Sequence, residues 1–246
     1  AGITSKGSLN AEPPQEQIDG LISLFNQGRF EDVVFNAKPM SKIFPKAIIL
    51  LNLMGASNLA LLNHEAAIDN YQKVIKIDPV CGEVYYNLGL VLQSKGDFEA
   101  AIVTYQKAVK FKPDNFSAYT NMGAILKENR EYDAAIICCK KAIQIKSDHA
   151  SAYGNMGAAL QEKGEWNAAI KCFKNALRIK PEYAEAYYNI GNVLQDKGEL
   201  VSAIDSYKQA LKINPDYAEA YNNMGNTLKG QGEVAAAIDN FKQALK

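Results

Sequence analysis

Asn87, Asn121, Asn155, Asn189 and Asn223 stand 34 residues apart along the chain. A carboxamide carries both a hydrogen-bond donor and an acceptor, a pairing that suits the main chain of an extended peptide. Contacts of that kind read backbone and tolerate varied side chains. Each nets about 0.5–1.5 kcal/mol, and ordering the peptide takes back much of the sum, so micromolar or weaker affinity is the expectation. Little else in the sequence could do chemistry. His64 and His149 are the only histidines, 85 residues apart. No glycine-rich phosphate loop, zinc spacing or nucleophile elbow occurs. The plentiful carboxylates read as solvated helix faces. We therefore expect no catalytic residue, no metal ligand and no cofactor, and read the chain as a non-enzyme.

The totals narrow the class further. The 246 residues are 48% hydrophobic and 22% charged, far from the profile of a disordered chain. Twenty-seven basic and 27 acidic residues cancel. A nucleic-acid partner normally demands a basic excess, so none is expected. Cys81, Cys138, Cys139 and Cys172 form no CxxC arrangement and read as small buried hydrophobes. Free thiols lean towards a reducing compartment, and a cytoplasmic location is expected. The longest apolar run, "AIILLNLMGASNLALL" at 47–62, is interrupted by Asn52, Ser57 and Asn58 and falls short of a membrane span. The opening residues 1–13 read as a flexible tail without a signal-peptide core.

What would position the asparagines is a repeat. Glycines stand at 55, 89, 123, 157, 191 and 225, and alanines follow each by twelve, at Ala67, Ala101, Ala135, Ala169, Ala203 and Ala237. Prolines at 45, 79, 113, 181 and 215 keep the same period, with Ser147 in the missing place. Such repetition signals a stacked solenoid. Within one unit Tyr85, Leu88 and Leu92 define the apolar face of a first helix. Gly96 ends it, Asp97 caps the next, and Ala101, Tyr105 and Ala108 mark the second helix before Pro113 stops it. A glycine inside a helix costs about 1 kcal/mol against alanine, so six would cost about 6 kcal/mol. Close approach of the facing alanine on the paired helix is the expected compensation. Leu62 and Arg130 replace glycine at two turns, where the adjacent Asn63 and Asn129 are expected to take the left-handed backbone.

Tyr187, Ile190, Gly191, Leu194, Gly198, Ala203, Tyr207, Ala210 and Pro215 carry a resemblance to the tetratricopeptide repeat family in order and spacing. The resemblance implies an all-α, right-handed superhelical solenoid of helix-turn-helix repeats, about seven units. Residues 14–47 form a degenerate first repeat, with Leu21 in place of the first glycine. Pro39 falls inside its second helix, where a kink or early end is expected. Six tandem repeats follow over 48–246: 48–81, 82–115, 116–149, 150–183, 184–217 and an incomplete 218–246.

In this family the first helix of each unit lines a concave groove. Carried onto this sequence, the groove positions include Tyr86, Asn87, Asn121, Lys127, Asn155, Tyr188, Asn189, Asn192, Asn223 and Asn226, which become the candidate peptide-binding residues. The asparagine ladder resembles that of the repeat domain of O-linked N-acetylglucosamine transferase, where similar residues hold a threaded polypeptide. The same asparagine is also a frequent choice in these repeats, so the ladder has a plainer reading as near-consensus sequence. A chaperone-tail clamp is disfavoured: Asn52, Tyr86, Thr120, Gly154, Tyr188 and Asn222 stand where a lysine would be needed. Glu83, Glu185 and Glu219 at a further groove position would repel a carboxylate.

Leu53, Ala56, Leu59 and Ala60 make the second repeat's groove face apolar, read either as packing against the first repeat or as a docking or self-association patch. The end at Lys246 lacks a polar capping helix, read as a boundary, a self-association face or the start of further sequence. Two functions stand: a protein-interaction scaffold binding an extended peptide or partner protein, and the substrate-recognition arm of a larger enzyme such as a glycosyltransferase or sulfotransferase.

Overall fold

A computed structural model describes residues 12–246, which form fourteen helices and no strand. They run as seven pairs: α1 (Gln15–Asn26) and α2 (Phe30–Ile43); α3 (Ile48–Ala60) and α4 (His64–Ile77); α5 (Gly82–Lys95) and α6 (Phe98–Phe111); α7 (Phe116–Glu128) and α8 (Tyr132–Ile145); α9 (Ala150–Glu162) and α10 (Trp166–Ile179); α11 (Ala184–Asp196) and α12 (Leu200–Ile213); α13 (Ala218–Gly230) and α14 (Val234–Ala244). This is the all-α repeat solenoid that the 34-residue period implied. Residues 1–11, most of the expected tail, lie outside the described residues, and Pro13 is buried.

The local signals act as their chemistry requires. Gly96 ends α5 with φ of 86°, a left-handed conformation open to glycine at no steric cost. The Asp97 carboxylate then accepts a 3.2 Å hydrogen bond from the Ala100 N–H, satisfying one of the unpaired donors at the start of α6. The turns without glycine survive differently from expectation. Leu62 and Arg130 themselves take the left-handed backbone, at φ of 59° and 63°, while Asn63 sits at −83°. The geometry belongs to the position, so whichever residue occupies it must bear the strain. Helix α2 likewise runs through Pro39 and keeps the same 14 residues as α4, with no early end. Phe35, whose carbonyl loses its N–H partner, and Pro39 both lie on the exposed face, where water can replace that bond.

Five of the six helical glycines at the repeat's fixed position owe their place to aromatic rings rather than to alanine. A β-carbon on Gly191 would sit 2.5 Å from the Tyr207 ring, and one on Gly55 or Gly157 would sit 2.7 Å from Tyr71 or Phe173. The ring occupies the space a β-carbon would take, and burial of that large side chain offsets the poor helix propensity. Gly123 is the exception: a β-carbon there would sit 2.7 Å from the Cys139 sulfur and 3.3 Å from the Ala135 carbonyl oxygen. The alanines twelve residues on from each glycine are buried, as expected.

The chain divides into two compact units, one ending at Ala118 and the other running from Tyr119 to Lys246. In the first, one core joins Ile18, Leu21, Val33, Ala37, Leu50 and Met54, and a second joins Leu51, Tyr71, Val74, Val84, Leu88 and Val91. Leu53 packs against the first of these cores and Leu59 against the second. Two of the four residues in the expected apolar patch are therefore committed to packing between repeats. In the second unit a core forms from Ala203, Ile204, Tyr207, Met224, Leu228 and Ala237.

Within each unit successive first helices touch directly, α3 on α1 and α5 in one, α11 on α9 and α13 in the other. A lysine at the end of a first helix reaches back to the preceding pair, Lys95 to Glu65 and Lys163 to Asp133, both at 2.6 Å. Such exposed pairs add little stability, but they favour one register of the stack.

Candidate peptide-binding face

In the first unit Tyr86 and Asn87 lie half-buried on α5. The Tyr86 ring sits 5.9 Å from that of Tyr105, whose hydroxyl donates to Gln93 Oε1 at 2.7 Å. The aromatic ring beneath the glycine thus also anchors the Gln93 carboxamide.

The second unit holds the fuller constellation. An open cavity of about 390 Å³ is lined by Lys127 and Glu128 of α7, Gln161 and Glu162 of α9, and Glu185, Asn189 and Asn192 of α11. Lys127, Asn189 and Asn192, expected to share one face from their repeat positions, are therefore brought together. Arg130 and Tyr132 complete the wall. These two were missed because they stand in and just after a turn, outside the first-helix positions. Their signal was the non-glycine turn at Arg130, which places a charged side chain where other repeats have none.

Charge within the cavity is partly cancelled. Lys127 pairs with Glu128 at 2.8 Å, and the Tyr132 hydroxyl donates to Glu162 at 3.3 Å. The carboxamides of Asn189 and Gln161 accept and donate no hydrogen bond among the described residues. They remain free to pair with something outside the fold.

The other asparagines are placed differently. Asn155 Nδ2 lies 3.5 Å from the Thr120 carbonyl oxygen, a long contact across to the preceding first helix. Asn121 is half-buried on α7, and Asn226 is exposed on α13. Asn223 is turned inward. Its Nδ2 donates to the Tyr188 hydroxyl at 3.0 Å and to Asn192 Oδ1 at 2.9 Å. The Tyr207 hydroxyl lies 2.8 Å from Asn192 Oδ1 and 3.0 Å from Gln195 Oε1, and Thr227 Oγ1 lies 2.7 Å from that same Gln195 oxygen. Burial pushes the Tyr207 phenol well above its ordinary range, so it stays protonated as a donor at neutral pH. Tyr188 stacks at a tilt on Tyr217, ring centroids 4.9 Å apart, and edges a hollow of about 560 Å³ with Asn222, Asn223 and Phe241.

The thiols behave as core side chains. Burial raises Cys139 to about 12 and Cys172 to about 11, leaving both neutral at pH 7. Among the described residues no group of three or more histidines, cysteines or acids is placed to hold a metal ion. No described helix is long and apolar enough to cross a membrane.

Paired helices repeated on a 34-residue period define a repeat protein. The TPR-repeat profile matches residues 63–96, 92–130, 160–198 and 191–232, and the tetratricopeptide-repeat profile matches 116–149. The chain belongs to the tetratricopeptide repeat family. A solved structure of MamA protein is similar at 31% identity, covering 68% of this chain and 91% of that one with a TM-score of 0.60. The APC/C hetero-tetramer Cut9–Hcn1 is similar over 92% of this chain and 45% of that one, at 18% identity and a TM-score of 0.72. YrrB, a TPR protein with an unusual peptide-binding site, covers 73% of this chain and 92% of its own, at 21% identity and a TM-score of 0.59. No curated protein matches the chain.

Proposed function

We propose that this chain is a protein-interaction scaffold whose first-helix face in the second unit holds an extended peptide segment of a partner protein. The observation that carries the reading is the cavity beside α9 and α11, where Asn189 and Gln161 present unpaired carboxamides to open space. A carboxamide can accept from a peptide N–H and donate to the next carbonyl, so two of them are able to fix an extended main chain without selecting its side chains. Lys127, Arg130, Glu162 and Glu185 around them offer charged partners for side chains that project from that main chain. YrrB shares the fold and is described as having a peptide-binding site, though at 21% identity the likeness extends to the fold alone.

Asn192 belongs to the face through its shared wall. Asn121, Asn155 and Asn226 extend it as further contacts for longer segments, and Tyr188 offers an aromatic edge; Tyr86 and Asn87 would serve a like face of the first unit by itself. Asn223 contributes mainly by holding Tyr188 and Asn192 in place.

The test is selection of random decapeptides by display against the protein, followed by titration of the selected peptides. Removing two hydrogen bonds of about 0.5–1.5 kcal/mol each predicts that Asn189→Ala with Gln161→Ala weakens binding roughly tenfold. Selected peptides that bind the double variant as tightly as the parent would remove this face from the account.

A further inference from the structure

A hollow of about 590 Å³ in the first unit lies between α2, α3 and α4. Its floor is unusual for the repeat. Asn58 stands where the five later repeats carry Leu92, Leu126, Leu160, Leu194 and Leu228. It is only 4% exposed, and Asn70 beside it is 5% exposed. Each donates one N–H to a carbonyl of its own helix, Asn58 to Met54 at 2.8 Å and Asn70 to Ala66 at 2.6 Å. That leaves each with a carboxamide oxygen and a second N–H that no described residue engages. Burying a carboxamide in place of leucine is unfavourable unless its remaining hydrogen-bonding capacity is met. Here it is aimed into a hollow.

The rim supplies charge. Lys38 and Lys42 stand one turn apart on α2, and neither makes an ion pair among the described residues. Lys73 is neutralised by Asp69 at 2.6 Å. Two positive charges therefore overlook the paired carboxamides, and Leu51 and Met54 line the apolar part of the wall.

We propose that this hollow is a second ligand site, which takes an acidic peptide segment. Lys38 and Lys42 receive its carboxylates, and Asn58 and Asn70 pair with its main-chain N–H and C=O groups. An interleaved apolar side chain rests against Leu51 and Met54. A peptide matches the site better than a small free anion does, because the carboxamide oxygens need donors that a bare carboxylate lacks. The site is separate from the asparagine face of the second unit and does not depend on its function.

The probe is a fluorescein-labelled octapeptide of alternating glutamate and leucine, followed by anisotropy against the whole chain. Saturable binding that weakens with added salt is expected. Lys38→Glu with Lys42→Glu, both exposed positions, should weaken it at least tenfold without altering the melting temperature. Asn58→Leu restores the side chain of the other repeats, so it should abolish binding while the melting temperature holds or rises. Asn189→Ala should leave this binding unchanged. Absence of saturable binding, or equal binding by the lysine and Asn58 variants, overturns the proposal. So does N-acetylglutamate alone competing as strongly as the octapeptide, since that would show a small-anion site.

Discussion

Asn189 and Asn223 occupy the same position in consecutive repeats, yet one carboxamide is open and the other is bound inward. The difference lies in the preceding first helix. Asn223 meets Tyr188 and Asn192, residues 35 and 31 places earlier, and donates to both. The residues at the same offsets from Asn189 are Gly154 and Ala158, which carry no polar side-chain atom. A repeated asparagine is therefore left open or held inward according to what its neighbour offers. Asn155 falls between the two, reaching only a main-chain oxygen at 3.5 Å.

The largest effect should come from the layer beneath the bound copy. Gly191→Ala would place a β-carbon 2.5 Å from the buried Tyr207 ring, whose hydroxyl sits among the acceptors around Asn192. Overpacking, less the gain in helix propensity, should cost about 2 kcal/mol and lower the melting temperature by roughly 4–8 °C. Asn223→Ala removes two inward bonds, and a loss of about 1–2 kcal/mol is expected in denaturant titration. Ala158→Asn should sharpen the comparison by giving Asn189 the partner that Asn223 already has. Stability should rise by about 0.5–1 kcal/mol, and affinity for a selected peptide should fall severalfold. Asn189→Ala should change stability by no more than about 0.5 kcal/mol while weakening peptide binding.

A smaller effect concerns alkaline pH. Burial raises Cys139 to about 12 and Cys172 to about 11 from an ordinary 9.0, so the folded state holds these protons more tightly than the unfolded state does. Their contribution is complete below about pH 9 and is lost as pH rises towards 11–12. Unfolding midpoints compared at pH 8 and pH 10.5 should show the decline. A flat profile would mean the thiols are less buried than their packing against Gly123 and its neighbours implies.

Much of this was legible from the residues. The period, the helix pairs and the Asp97 cap followed from glycine, alanine, proline and aspartate doing what their backbones and side chains allow. The aromatic layer was also visible, since Tyr71, Tyr105, Phe173, Tyr207 and Phe241 each stand sixteen places after a helical glycine. Alanine and aromatic ring both follow the glycine at fixed offsets, and only packing shows which one lies on the bare backbone. The left-handed residues are Leu62 and Arg130 rather than Asn63 and Asn129, because repeat position sets the turn geometry more strongly than side-chain tolerance does. Pro39 was read as a helix breaker without regard to which face carried it. For the site, spacing brought Lys127, Asn189 and Asn192 to one face. It did not separate open carboxamides from bound ones, because that depends on pairs 31 and 35 residues apart rather than on the repeat itself.

The most direct measurement is a titration of the isotope-labelled protein with a display-selected extended peptide, following side-chain carboxamide resonances by NMR. The account predicts saturating shifts of the Asn189 and Gln161 amide signals while the Asn223 signal stays in place. Movement of Asn223 with Asn189 and Gln161 unchanged would contradict it.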